Sequence, residues 1–84
     1  MTEGERLVME QAYAFFHQKW KVYVKSPSEW EKDHIEESIS SYVNSMSPWL
    51  YSLISEGEDS YLREHSSFTE DITDALSKME NMLF

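Results

Sequence analysis

The stretch Ala12 to Val24, AYAFFHQKWKVYV, constrains this chain more than any other segment. It packs Tyr13, Phe15, Phe16, Trp20, Val22, Tyr23 and Val24 into about four helical turns. On a helical wheel at about 100° per residue, Phe15, Val8, Ala12, Tyr23, Phe16, Met9, Trp20 and Tyr13 cover roughly half the circumference, wider than the stripe of an ordinary surface helix. Such a helix must be covered from two sides. The Val22-Tyr23-Val24 triplet has β-propensity, yet it continues the helical face and reads as helix. A start near Gly4 puts Glu3 and Glu5 at the positive end of the helix and Lys19, Lys21 and Lys25 toward its negative end, the arrangement that complements the helix dipole.

Ser26-Pro27-Ser28-Glu29 then reads as a start signal, with Ser26 as cap, Pro27 at the first helical position and Glu29 completing a capping box. The second helix is expected to run to about Asn44, its apolar stripe formed by Ile35, Ile39, Tyr42, Val43 and Met46. Ser47-Pro48 offers another cap-plus-proline start, which places a tight turn around Ser45 to Ser47. Leu50, Leu53, Ile54, Gly57 and Tyr61 carry the following stripe. Gly57 has two readings: it ends a short helix before Asp59 or Ser60 caps another, or, as its place on that stripe favours, it lies inside one helix and lets a neighbouring backbone approach. The last helix is expected to be capped by Ser67, with Glu70 completing a capping box and Phe68, Ile72, Ala75, Leu76, Met79 and Leu83 facing inward.

Helices joined by such short connections become antiparallel neighbours. The predicted fold is therefore all-α, a small antiparallel up-and-down bundle of four helices of similar length, with residues 1–84 forming one domain. The alternative is a three-helix form whose long middle helix is kinked at Pro48. A straight helix from Pro27 to His65 would be about 58 Å long, too long for a compact chain of 84 residues.

Composition narrows the function classes. There is no cysteine, so disulfides and thiolate metal sites are excluded and a cytoplasmic setting is expected. The opening residues MTEGER are acidic, and the longest apolar run is Ala12 to Phe16, so neither a signal peptide nor a membrane-spanning helix is expected. The net charge is −9 and unevenly spread. Residues 1–28 carry four bases against three acids, whereas residues 29–84 carry thirteen acids against three bases. An acidic field of that size repels phosphate backbones and anionic lipid and attracts a basic partner. Lys19-Trp20-Lys21 with Tyr23 and Lys25 interleaves bases with aromatics, a pattern that can grip nucleic acid. The lysines are equally those a helix C-terminus attracts, and direct nucleic-acid or membrane binding is not expected.

Catalytic chemistry finds little footing. Glu31 and His34 have the Glu-x-x-His spacing of di-iron bundles, but those sites need a second such motif and none exists. His17 and His65 have no partner at ligand spacing, so no metal and no cofactor are expected. The serines lack a G-x-S-x-G elbow or a glycine-rich phosphate loop. Glu36 and Glu37, and Asp71 and Asp74, are paired carboxylates expected on solvated polar faces, where neither partner would be desolvated as a general acid requires.

The expected role is therefore non-enzymatic: an acidic interaction module that binds and inhibits or regulates a basic protein. Its candidate partner-binding residues are Trp30, His34, Glu36, Glu37, Asp71 and Asp74. Trp30 lies opposite the Ile35, Ile39 and Val43 stripe. The simpler reading folds it back against the end of the first helix, and Trp49 is read the same way; the other reading makes Trp30 an exposed anchor within an acidic rim. The alternative role is a structural or assembly subunit that homodimerises through a ridge of Tyr13, His17, Trp20 and Val24 on the first helix.

Overall fold

The computed structural model describes residues 1–26 and 28–84. Four helices, α1 (Glu3–Lys25), α2 (Glu29–Ser45), α3 (Pro48–Ser55) and α4 (Phe68–Leu83), form an all-α bundle, and a 3₁₀ turn, His65–Ser67, leads into α4. At 1.5 Å per residue α1 is about 34 Å long, so it sets the 40 Å long dimension of the molecule. No helix among the described residues is long and apolar enough to cross a membrane.

A reciprocal cap begins α1. The Thr2 hydroxyl accepts the Glu5 amide at 3.1 Å and the Thr2 amide donates to Glu5 Oε1 at 2.8 Å, satisfying two of the donors a helix start leaves free. Met9, Ala12 and Phe16 form the fully buried stripe of α1. Val8, Tyr13, Phe15, Trp20 and Tyr23 lie half-buried on either side of it, which gives the helix the double-width face its sequence requires.

Two helices cover that face. Tyr42 of α2 stacks on Phe15, with ring centroids 4.4 Å apart, and meets Phe16 edge-on at 5.5 Å. Beside it Ile35, Ile39 and Val43 enter the core. On the other side α4 contributes Phe68, Ile72, Ala75, Leu76, Met79 and Leu83. Arg6 donates to the Leu83 carbonyl at one end of this pair, and Tyr23 packs on Phe68 at the other. That pairing of ends makes α1 and α4 antiparallel. The contacts Tyr23 to Glu36 and Phe15 to Tyr42 make α1 and α2 antiparallel as well.

The chain breaks at Met46 and Ser47, and Pro48 takes the first position of α3. The missing proline amide costs nothing there, so the turn expected around Ser45 to Ser47 is present and the single kinked middle helix is not. The expected length of the third helix is wrong. It ends at Ser55 after eight residues, because Glu56 turns left-handed (φ 54) and Gly57 follows at φ 88. Gly57 is exposed in a turn rather than packed inside a helix. Tyr61 and Leu62 still reach the core, the latter at φ 60. Left-handed backbone costs a non-glycine residue roughly 1–2 kcal/mol, and burying a leucine side chain yields about 1.5–3 kcal/mol, so burial outweighs the strain.

Neither of the two predicted capping boxes forms. Ser26 closes α1 instead of opening α2, and its hydroxyl lies 3.1 Å from Glu31 Oε2; Ser28 occupies the cap position of α2 without a side-chain bond. Pro27, assigned to the first position of α2, lies outside the described residues. Ser67 does precede α4, but its hydroxyl turns to Asp71 Oδ2 at 3.2 Å rather than to a backbone amide.

Removing the ring at the centre of the stripe should be severe. Phe16→Ala should cost about 3–5 kcal/mol, while Trp30→Ala, on the outside of α2, should stay within about 0.5 kcal/mol; urea unfolding midpoints of the two variants measure the contrast.

Candidate partner-binding surface

Helix α2 presents its polar side outward, and Trp30 stands on it 74% exposed. The indole does not fold back on α1. It lies parallel to the His34 ring one turn along, centroids 5.8 Å apart and planes 8° apart, the contact that i and i+4 positions allow. The simpler reading of Trp30 is thus overturned: its position opposite the core stripe leaves α1 out of reach. Trp49 is 37% exposed on α3, only partly covered. His34 and Glu37 line a shallow depression with Ser38 and Ser41, so Trp30, His34 and Glu37 share one accessible face with Asp33.

The other expected site residues have different work. Glu36 turns inward with only 12% of its side chain exposed. Its Oε2 accepts the Tyr23 hydroxyl at 3.0 Å and its Oε1 accepts His65 Nδ1–H at 2.8 Å. The hydrogen bond to Glu36, and then the Glu36 charge, hold His65 above its ordinary pKa. Glu36 and Glu37 are therefore neighbours in sequence and not in role, which corrects the expectation that both lie on a solvated face.

Asp71 is likewise drawn in. Its Oδ2 accepts the Leu62 amide at 2.9 Å and the Ser67 hydroxyl. Asp74 Oδ2 accepts the Tyr61 hydroxyl at 2.7 Å and pairs with Lys78 Nζ at 2.8 Å, while the same ammonium donates to the Ile54 carbonyl at 2.7 Å. Tyr51 completes the network, its hydroxyl 2.8 Å from the Tyr61 carbonyl and its ring under the Arg63 guanidinium at 4.5 Å. Burial and the bond to Asp74 push the Tyr61 phenol far up, so it remains a donor.

Because α3 stops early, the segment 56–64 folds against α4, and acids that look separate in sequence converge. Glu56, Glu58, Glu70, Asp71 and Asp74 surround a concavity of about 490 Å³ in which Lys78 is, among the described residues, the one lining cation. The opposite charge gathers at the far end of α1, where Lys21 and Lys25, with His17 beside them, border an open concavity of about 480 Å³ next to Glu31. Lys19 lies over the Phe15 ring at 5.5 Å, its stem along the apolar side.

The ridge expected to self-associate is partly covered by its own chain. Tyr13 donates to Glu80 at 2.9 Å, stacks on His17 and meets Phe84 edge-on; Trp20 stacks on Tyr23. His17 and Val24 remain exposed, together with Leu7 and Val22.

Comparison of the chain with protein-family models, with curated proteins and with solved structures finds no match.

The Asp74 network has a pH signature. Burial alone would raise the Asp74 pKa, but the bonds from Lys78 and Tyr61 and the Lys78 charge outweigh it and leave the value below the ordinary 3.8. A depressed folded value contributes stability above the unfolded pKa and loses it as pH falls through the folded one. The stability gap between wild type and Asp74→Asn in urea should therefore be largest near neutrality and shrink below about pH 3.8. Tyr61→Phe, by removing a bond to a charged acceptor, should cost about 1.5–3 kcal/mol at pH 7.

Proposed function

We propose that this chain is a non-enzymatic acidic interaction module that binds a basic protein partner and thereby inhibits or regulates it. The observation that carries the reading is Trp30, a large indole left 74% exposed on a helix rich in carboxylates. Trp is among the residues most enriched at interface hot spots, and its face is the best aromatic partner for an arginine or lysine head group. Asp33 and Glu37 are exposed on the same helix and supply charge for the rim.

The charge layout supports the same class of partner. A net charge of −9 exceeds the magnitude of about 2–8 that solubility asks of a small domain. Three of the acids in the expected site, Glu36, Asp71 and Asp74, are bonded within the chain, so the partner surface consists of Trp30, His34 and Glu37 with Glu29 and Asp33 beside them. A field of this sign speeds the approach of a cationic surface and is screened by salt. Tyr13 and Trp20 already have aromatic or polar partners in their own chain, which weakens the homodimer reading; exposed Val22 and Val24 are what it retains.

The test uses the immobilised protein, an extract of the source cells, and mass spectrometry of what is retained. A basic protein should be held at 50 mM salt and released at 500 mM, both chosen as about 0.3 and 3 times physiological strength. Its affinity should fall about 30-fold with Trp30→Ala, the size of a hot-spot loss, and should weaken with Glu37→Lys. Retention of neutral or acidic proteins, or equal retention by both variants at high salt, contradicts the proposal.

A further inference from the structure

Asp33 and Glu36 stand three residues apart on α2, so their carboxylates leave the same side of the helix. His65 begins the 3₁₀ turn before α4 and is brought to that side by the fold, 29 residues beyond Glu36. One carboxylate oxygen of Asp33, one of Glu36 and one ring nitrogen of His65 all lie within 4.8 Å of one another. Around a tetrahedral ion with bonds of 2.0–2.2 Å, ligand atoms lie about 3.3–3.6 Å apart, so side-chain rotations that close the widest pair by up to about 1.5 Å and slightly open the 2.8 Å Glu36–His65 pair bring all three onto one centre.

Two further features favour a metal over a mere polar cluster. The Tyr23 hydroxyl donates to Glu36 Oε2 and leaves Oε1 facing His65, the outer-sphere bond that typically orients a ligating carboxylate. Among the described residues no lysine or arginine is paired with Asp33 or Glu36, so no side-chain cation from those types competes for the oxygens.

We propose that Asp33, Glu36 and His65 bind a divalent first-row transition ion of the zinc class, and that the ion ties α2 to the turn preceding α4. The imidazole sets the class, since calcium and magnesium prefer all-oxygen shells with more ligands. Three protein ligands leave the remaining positions to water, and the exposure of Asp33 and His65 gives the ion a path in. A histidine that is isolated in sequence thus acquires its partners only through the fold.

Isothermal titration calorimetry of the chelator-treated full chain with zinc chloride tests this, together with thermal unfolding at the same zinc concentrations. One equivalent should bind and the unfolding temperature should rise. His65→Gln and Asp33→Asn, both at exposed positions, should each weaken binding at least 10-fold, and Tyr23→Phe about 10-fold, the usual effect of losing an outer-sphere bond. His34→Gln should leave the affinity unchanged. Absence of binding at 1 mM zinc, about a −4 kcal/mol threshold, overturns the proposal. So does equal affinity in His65→Gln, a loss caused by His34→Gln instead, or equally tight binding of calcium or magnesium.

Discussion

The fold leans on the stripe Met9, Ala12 and Phe16 of α1, because α2 and α4 both pack on that surface. Apolar burial supplies most of the stability of a small domain, and a chain of this length has little to spare. The aromatic residues flanking the stripe extend it sideways. Phe15 passes the contact to Tyr42 of α2 and Tyr23 passes it to Phe68 of α4. A helix with a single narrow face could have served one neighbour only, and α2 and α4 would then have lacked a common wall.

The side of the bundle opposite this arrangement is closed by different means. With α3 only eight residues long, the segment 56–64 has to be held down without a helical ladder of its own. Buried Leu62 and Tyr61 supply the apolar part, and the polar part comes from Asp71, Asp74 and Tyr51, which bind backbone or hydroxyl groups of that segment, while Lys78 ties Asp74 to the Ile54 carbonyl at the end of α3. Among the described residues no fully buried side-chain nitrogen or oxygen lacks a hydrogen-bond partner. A division of the carboxylates follows from this. Glu36, Asp71 and Asp74 maintain the fold, while Asp33 and Glu37 stay on the outside of α2 near Trp30, available to meet a cation. High negative charge is thus partly structural in this chain and only partly a property of its surface.

Helical periodicity reported burial faithfully and conformation less so. The inward faces of α1, α2 and α4 were legible because long amphipathic helices leave a regular trace, and Pro48 marked the start of α3 for a steric reason. Leu50, Ile54 and Tyr61 also fit a helical period, but Tyr61 reaches the core from a turn, so the continuous helix through Gly57 was an illusion of spacing. The Thr2-x-x-Glu5 spacing carries a capping box, so Glu5 bonds the Thr2 amide as well as complementing the helix dipole. Ser26 and Ser67 show the converse case, since nearby Glu31 and Asp71 compete for the hydroxyls that a capping box would use. Within the candidate surface, the position of Trp30 opposite the core stripe is legible from the wheel, whereas its exposure is not, because a first-turn indole could equally fold back on α1. Nor is the inward turn of Glu36 legible, because its partners Tyr23 and His65 lie 13 and 29 residues away.

Native-state amide hydrogen exchange measures this division of labour most directly. The amides from Met9 to Phe16 should exchange only through global unfolding, and the Leu62 amide should be strongly protected within a loop, because it donates to Asp71 at 2.9 Å in a residue that is almost fully buried. The Gly57 amide, in an exposed turn, should exchange rapidly. Leu62 exchanging as fast as Gly57, or the centre of α1 opening before the rest of the bundle, would contradict a fold built on one double-faced helix and closed by its own acids.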